Sequence, residues 1–144
     1  MAKSKMDLET LLGYSFNEPE LMERAVAREG TGKRAKASGA KDPGLRVLGE
    51  AAICFAVVYH FYSQGMSPSQ IDEERAARVC RENYARVAEE IGLGDCLIPS
   101  GPPRGSSLGE RFEQVMGAVY LDDVNAGGTG IGACWEVLRK INLI

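Results

Sequence analysis

The chain has 144 residues, 44% hydrophobic and 26% charged, values that exclude a disordered or fibrous class and allow a proper core without staples. Its 17 Lys and Arg against 20 Asp and Glu leave a net charge of -3 and a pI near 5.3, which excludes wholesale attachment to nucleic acid by bulk charge. Any RNA binding must be local. A single domain over residues 1–144 is expected. The longest apolar run, Ala51 to Tyr62, is interrupted by His60 and reads as too short to span a bilayer, and MAKSKMDLETLL has no apolar signal region. Cytoplasm is the default. Cys54, Cys80, Cys96 and Cys134 are scattered without a CxxC pair, so they read as reduced packing residues, and a zinc site is not expected.

Nearly every segment reads as helix. Asp7 can cap a short helix through Leu12; GYSFNEP is then a turn, and Glu18 to Arg28 forms a second helix with Pro19 in its first turn. The segment GKRAKASGAK, Gly32 to Lys41, is the one basic cluster and reads as a loop. Its Lys33, Arg34, Lys36 and Lys41 are either plainly solvated or touch RNA phosphates; a basic loop supplies charge but no geometry. Pro43 opens LRVLGEAAICFAVVYHFYSQ, apolar almost all round beyond its first turn and so expected to be the buried central helix.

SPSQIDEERAARVCRENYARVAEEIGLG reads as one long charged helix, capped by Ser67, with Pro68 in its first turn and an end at Gly92 or Gly94. After a loop rich in Pro and Gly, Ser106 or Ser107 can cap LGERFEQVMGAVYLDD. There Leu108, Phe112, Val115, Met116 and Val119 form a core-facing stripe, and Glu110, Glu113 and Gly117 a second, adjoining one. Glu110 and Glu113 are neighbours on the helix surface and repel unless a cation or proton lies between them. Either they are solvated residues on a polar flank, or they hold something positive. A last helix carries Trp135 and Leu138 toward the core, and His60 reads as a packed residue on an apolar face. The fold class is all-α.

The central helix has charges only in its first turns, Arg46 and Glu50, with Gly49 between them allowing another helix to come close. If it packs on the helix of Glu110 and Glu113, three acids converge, as a hard divalent cation such as Mg²⁺ requires.

At this point the sequence resembles the nuclease domain of the ribonuclease III family. LLGYSFNEPELMERAV resembles the family's opening segment, LRVLGEAAI the signature that usually reads ERLEFLGDAVL, EERAARVCRENYARVAEEIGLG the long helix with its arginine, here Arg75, and GERFEQVMGAVYLDD the acidic segment ending in YLD. The resemblance implies a ribonuclease III-like helical endonuclease domain that forms a homodimer and uses Mg²⁺ or Mn²⁺ to hydrolyse double-stranded RNA. Carried over by position, it implies Glu50, Glu110 and Glu113 as metal ligands, with Glu50 and Glu113 catalytic, while Arg46 stands where the family has a fourth acid.

The family's NER before the signature is Asp42-Pro43-Gly44 here, and its interface aromatic is Val47. No double-stranded-RNA-binding domain is expected within these residues. Arg46 is expected to take over much of the metal's electrostatic role by pairing with Glu50 one turn along and with Glu113. Three readings stand: an active metal-dependent endoribonuclease; a member of the family with impaired or absent cleavage, serving as RNA-binding or scaffold subunit; and a helical dimerisation module without RNA.

Overall fold

The computed structural model describes residues 5–27, 43–97 and 108–144. These form helices α1 (Lys5–Leu12), α2 (Pro19–Val26), α3 (Pro43–Ser63), α4 (Pro68–Arg78), α5 (Arg81–Ile91), α6 (Leu108–Asn125) and α7 (Ile131–Lys140), with a short 3-10 turn at Leu93–Cys96. The all-α expectation holds, and no strand occurs among the described residues. The basic cluster with Lys33, Arg34, Lys36 and Lys41, and the capping serines Ser106 and Ser107, lie outside the described residues.

The centre of the fold is the crossing of α3 and α6. It is set by two glycines facing each other. A Cβ on Gly49 would overlap the Glu113 carbonyl and stand 2.7 Å from the Gly117 nitrogen; one on Gly117 would overlap the Leu45 carbonyl and stand 3.1 Å from the Gly49 nitrogen. The backbones touch because neither residue has a side chain. Around the crossing, Ile53, Val57, Phe112, Val115, Met116 and Val119 are fully buried, and α5 and α7 close the sides with Val87, Ala88, Cys134 and Leu138. Trp135 is half-buried at the rim, and its Nε1 donates to His60 Nδ1 at 3.0 Å, which gives the packed histidine its partner.

Helix α6 is buried on nearly all sides, including residues that look like a polar flank. Arg111 donates to the Val26 carbonyl at 2.8 Å, and Gln114 to the Arg24 and Ala27 carbonyls at 2.6 and 2.8 Å, satisfying the open end of α2. Two turns on, Asp122 accepts from the Tyr14 hydroxyl, the Asn17 and Glu18 backbone N–H groups and the Asn17 amide. Burial disfavours the Asp122 carboxylate, but the donors from Asn17, Tyr14 and Glu18 outweigh it and hold the pKa below the usual value. One face of α6 thus grips both ends of the short, antiparallel α2.

Several expectations need correction. Helix α1 begins at Lys5, so Asp7 lies inside its first turn, and α2 stops at Val26, where Ala27 turns extended with φ -74° and ψ 138°. The long charged helix is two. Ser67 and Gln70 form a reciprocal cap on α4 as the sequence suggests, but the chain breaks at Val79 and at Cys80, which is extended at φ -155° and ψ 152°. Asn83 fills the gap by donating to the Arg78 carbonyl at 3.0 Å. Helix α4 buries no residue fully and meets the core only at its edge, through Ile71 and the Arg78 guanidinium over Phe61.

The central helix is not buried all round either. Val47, Ala51, Phe55, Tyr59 and Tyr62 recur at helical spacing on a face that stays exposed; each of the four large ones is more than half accessible. Nor is this segment too short for a bilayer by length and composition alone, since the apolar stretch runs over Gly44–Ser63, 20 residues with a mean hydropathy of 1.4. The run from Ala51 understated it because Arg46 and Glu50 are isolated charges. The packing is that of a bundle's hub, with contacts to α4, α6 and α7.

The crossing makes a direct prediction. Gly117→Ala should lower stability by about 3 kcal/mol, roughly 10 °C in melting temperature, because backbone atoms must part to admit the methyl group. An unchanged melting curve would mean that the close approach contributes nothing.

Candidate functional site

Because Gly49 seats the Glu113 backbone, the next residue on α3, Glu50, and the Glu113 side chain are brought to one place. They line a pocket of about 140 Å³ with Val79, Cys80, Arg81 and Tyr84. The break at Val79–Cys80 builds its other wall, for it starts α5 afresh and puts Arg81 at the helix's first position. Gly109 on α6 backs onto that residue so tightly that a Cβ would stand 2.6 Å from the Arg81 carbonyl. Arg81 is thereby held beside α6, and its Nε lies 3.4 Å from Glu113 Oε1.

The two carboxylates differ in setting. Glu50 is exposed, whereas Glu113 is 1% accessible. Burial raises the Glu113 pKa to about 7, helped by hydrogen bonding to and repulsion from Glu50, with the Arg81 charge opposing. The Tyr84 ring packs against Phe112 and its hydroxyl, buried in the pocket wall, has no hydrogen-bond partner. Burial, with the Glu113 and Glu50 charges, pushes that phenol well above the usual range.

Glu110 and Arg46 stand apart from this pocket. Arg46 Nε lies 3.8 Å from Glu110 Oε2, both side chains about a quarter exposed. The expected pairing of Arg46 with Glu50 and Glu113 is therefore replaced by two separate pairs, Arg46 with Glu110 and Arg81 with Glu113. Spacing along one helix identifies same-helix neighbours; the crossing decides which acid of the other helix comes within reach. No group of three or more His, Cys, Asp or Glu side chains among the described residues gathers as a metal-binding cluster. The structure brings Glu50 and Glu113 together and leaves Glu110 with its arginine. Arg81 and Tyr84 were missed from sequence: the signal was present in an arginine followed at i+3 by a tyrosine, but hidden inside an apparently continuous charged helix.

The raised pKa of Glu113 carries a pH dependence. The folded state holds this proton more tightly than the unfolded chain, whose value is 4.5, so the contribution to stability is full below that pH and is lost as pH rises through about 7. The melting temperature of the metal-free protein should fall between about pH 5 and about pH 8, and Glu113→Gln should flatten that slope. A slope of equal size in the variant would assign it to another group.

No family model matches the chain. It is 30% identical to the ribonuclease 3 of Fusobacterium nucleatum over 130 residues, 83% of this chain and 56% of the relative. It is 30% identical to that of Nitrosococcus oceani over 139 residues, 90% of this chain and 54% of the relative. The chain thus spans about half the length of these curated relatives. In fold it is similar to the nuclease domain of ribonuclease III from Campylobacter jejuni, a structure described for flexibility in the region involved in dimer formation. The TM-score is 0.74 at 23% identity, with 96% of each chain covered. With the ordered resemblance from LLGYSF to YLDD, the shared helical fold and about 30% identity over most of its residues, the chain belongs to the ribonuclease III family.

Proposed function

We propose that this chain acts in double-stranded RNA processing as a ribonuclease III-type domain whose own phosphodiester hydrolysis is impaired. The observation that carries the second half is the distribution of the acids. Glu110 is paired with Arg46, leaving Glu50 and Glu113 as a two-carboxylate pocket that already contains a cation, Arg81.

That pocket fits a divalent ion. Mg²⁺ is commonly bound by one or two carboxylates with its remaining positions filled by water, and the unpartnered Tyr84 hydroxyl is a donor set to meet such a water or a carboxylate oxygen. Glu50 and Glu113 would hold the ion, Mg²⁺ or Mn²⁺, which when bound supplies an activated water and charge stabilisation at the phosphate. Glu113 is buried, and Glu50, exposed, faces incoming solvent and substrate. By the resemblance Arg46 stands where the family has a fourth acid, and here it pairs with Glu110 instead of offering an oxygen ligand. The phosphate-contacting role of Lys33, Arg34, Lys36 and Lys41 is part of the same proposal. The four cysteines form no disulfide, which suits a reducing compartment, the cytoplasm.

The exposed face of α3 supports a homodimer. Val47, Ala51, Phe55, Tyr59 and Tyr62 run about 22 Å along one side of the helix. Phe55 and Tyr59 continue into a groove of about 370 Å³ with Ile131 and Trp135. An apolar stripe of this extent marks an interaction surface, and the Campylobacter jejuni domain is described with a dimer-forming region. Pairing two chains would also bring two pockets to one duplex.

Two measurements test this. With a long labelled RNA duplex and Mg²⁺ or Mn²⁺, the wild type should cleave slowly, Glu113→Gln not at all, and Arg46→Glu at least about tenfold faster than wild type, since that change frees Glu110 and adds an acid. Wild-type turnover above about 1 s⁻¹ would overturn the impaired-site reading. In sedimentation velocity the wild type should run as a dimer and Phe55→Glu/Tyr59→Glu as a folded monomer; a monomeric wild type at micromolar concentration would refute the dimer.

A further inference from the structure

Glu113 has two features that need a joint explanation. It is 1% accessible, so water does not neutralise it, and a buried carboxylate is costly unless a cation or proton stands beside it. Its cation is Arg81, yet the contact is a single long one, Nε to Oε1 at 3.4 Å, where a committed guanidinium–carboxylate pair forms two short bonds. The Arg81 side chain is 49% exposed, so it has a path to solvent that disturbs no core packing. Its backbone, in contrast, is held by the break at Cys80 and by the close approach of Gly109. A fixed base with a loosely engaged head is the geometry of a replaceable counter-ion.

The second observation is the Tyr84 hydroxyl, buried in the wall of the same pocket without a hydrogen-bond partner. An orphaned donor beside two carboxylates indicates that the pocket is incomplete with Arg81 alone. Its 140 Å³ leave room for an ion with several of its waters. The Arg46–Glu110 pair, at 3.8 Å and outside the lining, does not fill it.

We propose that Arg81 is a tethered counter-ion: its guanidinium takes the place of a divalent cation at Glu113, and metal enters the Glu50–Glu113 pocket only in exchange for it, so that Arg81 sets the pocket's metal affinity. This rests on the two-carboxylate reading of the site given above. When Arg81 swings out, the ion takes over the neutralisation of Glu113, and Tyr84 gains a partner in the oxygens around it. Two positive centres at Glu113 repel each other, so the guanidinium and the ion compete for the same carboxylate.

The experiment is Mn²⁺ binding to the full chain, read from the electron paramagnetic resonance signal of free Mn²⁺ and independently from the melting temperature with and without Mn²⁺ at about pH 8. Arg81→Gln and Arg81→Met should each bind at least about tenfold more tightly than wild type, Arg81→Lys should stay near wild type because it keeps the charge, and Glu113→Gln should lose binding. Two substitutions of different polarity guard against one failing to fold. Unchanged or weaker binding in folded Arg81→Gln and Arg81→Met, with wild-type binding still dependent on Glu113, would overturn the counter-ion role alone. Absence of Mn²⁺ binding at millimolar concentration in every variant would overturn the metal pocket itself and the inference with it.

Discussion

The backbone contact between Gly49 and Gly117 is the constraint on which the rest depends. Two helices that touch without side chains between them are fixed in relative height and rotation, and an acid beside each glycine is fixed with them. Glu50 follows Gly49 in sequence, and Glu113 is one turn before Gly117. Their meeting is therefore a consequence of the packing, which α6 reinforces by gripping α2 at both ends through Arg111, Gln114 and Asp122. A site built on such an arrangement is positioned by the core, with helices rather than loops carrying its acids.

The acids themselves are kept apart by arginines. Like charges at i and i+3 on α6 are relieved by separate cations, Arg46 for Glu110 and Arg81 for Glu113, and the two pairs are unequal. The first is partly exposed and of the kind that contributes little to stability. The second involves a carboxylate sealed from water, where removing a partner is costly. The state of Glu113 depends on how it is neutralised, and the sequence offers a cation of its own, Arg81, to do it.

What the chain disclosed before its structure was the helical class, the opening of the central helix at Pro43 and the capping serine of α4. What stayed hidden has common physical causes. Arg111, Gln114 and Asp122 look like a solvated flank because hydrophobic patterning has no means of recognising polar side chains buried to satisfy another helix's backbone. The break at Val79 and Cys80 carries no Pro or Gly; it arises from tertiary demands, α4 lying outside the core and α5 inside it. Arg81 was illegible for that reason, since on one continuous helix its direction would be different. Conversely, Val47, Phe55, Tyr59 and Tyr62 look like core because composition does not distinguish a helix surrounded by its own fold from one with a face left open.

That open face and the pocket belong to the same helix, which links association to chemistry. Helix α3 presents Gly49 and its neighbours inward to α6 and its aromatic stripe outward, so whatever covers the stripe also bears on the element that carries Glu50 and Arg46. A displacement of α3 at the stripe would move Glu50 as well, while Arg81, on α5, belongs to the other wall of the pocket. The open face and one wall of the pocket are thus two sides of a single helix.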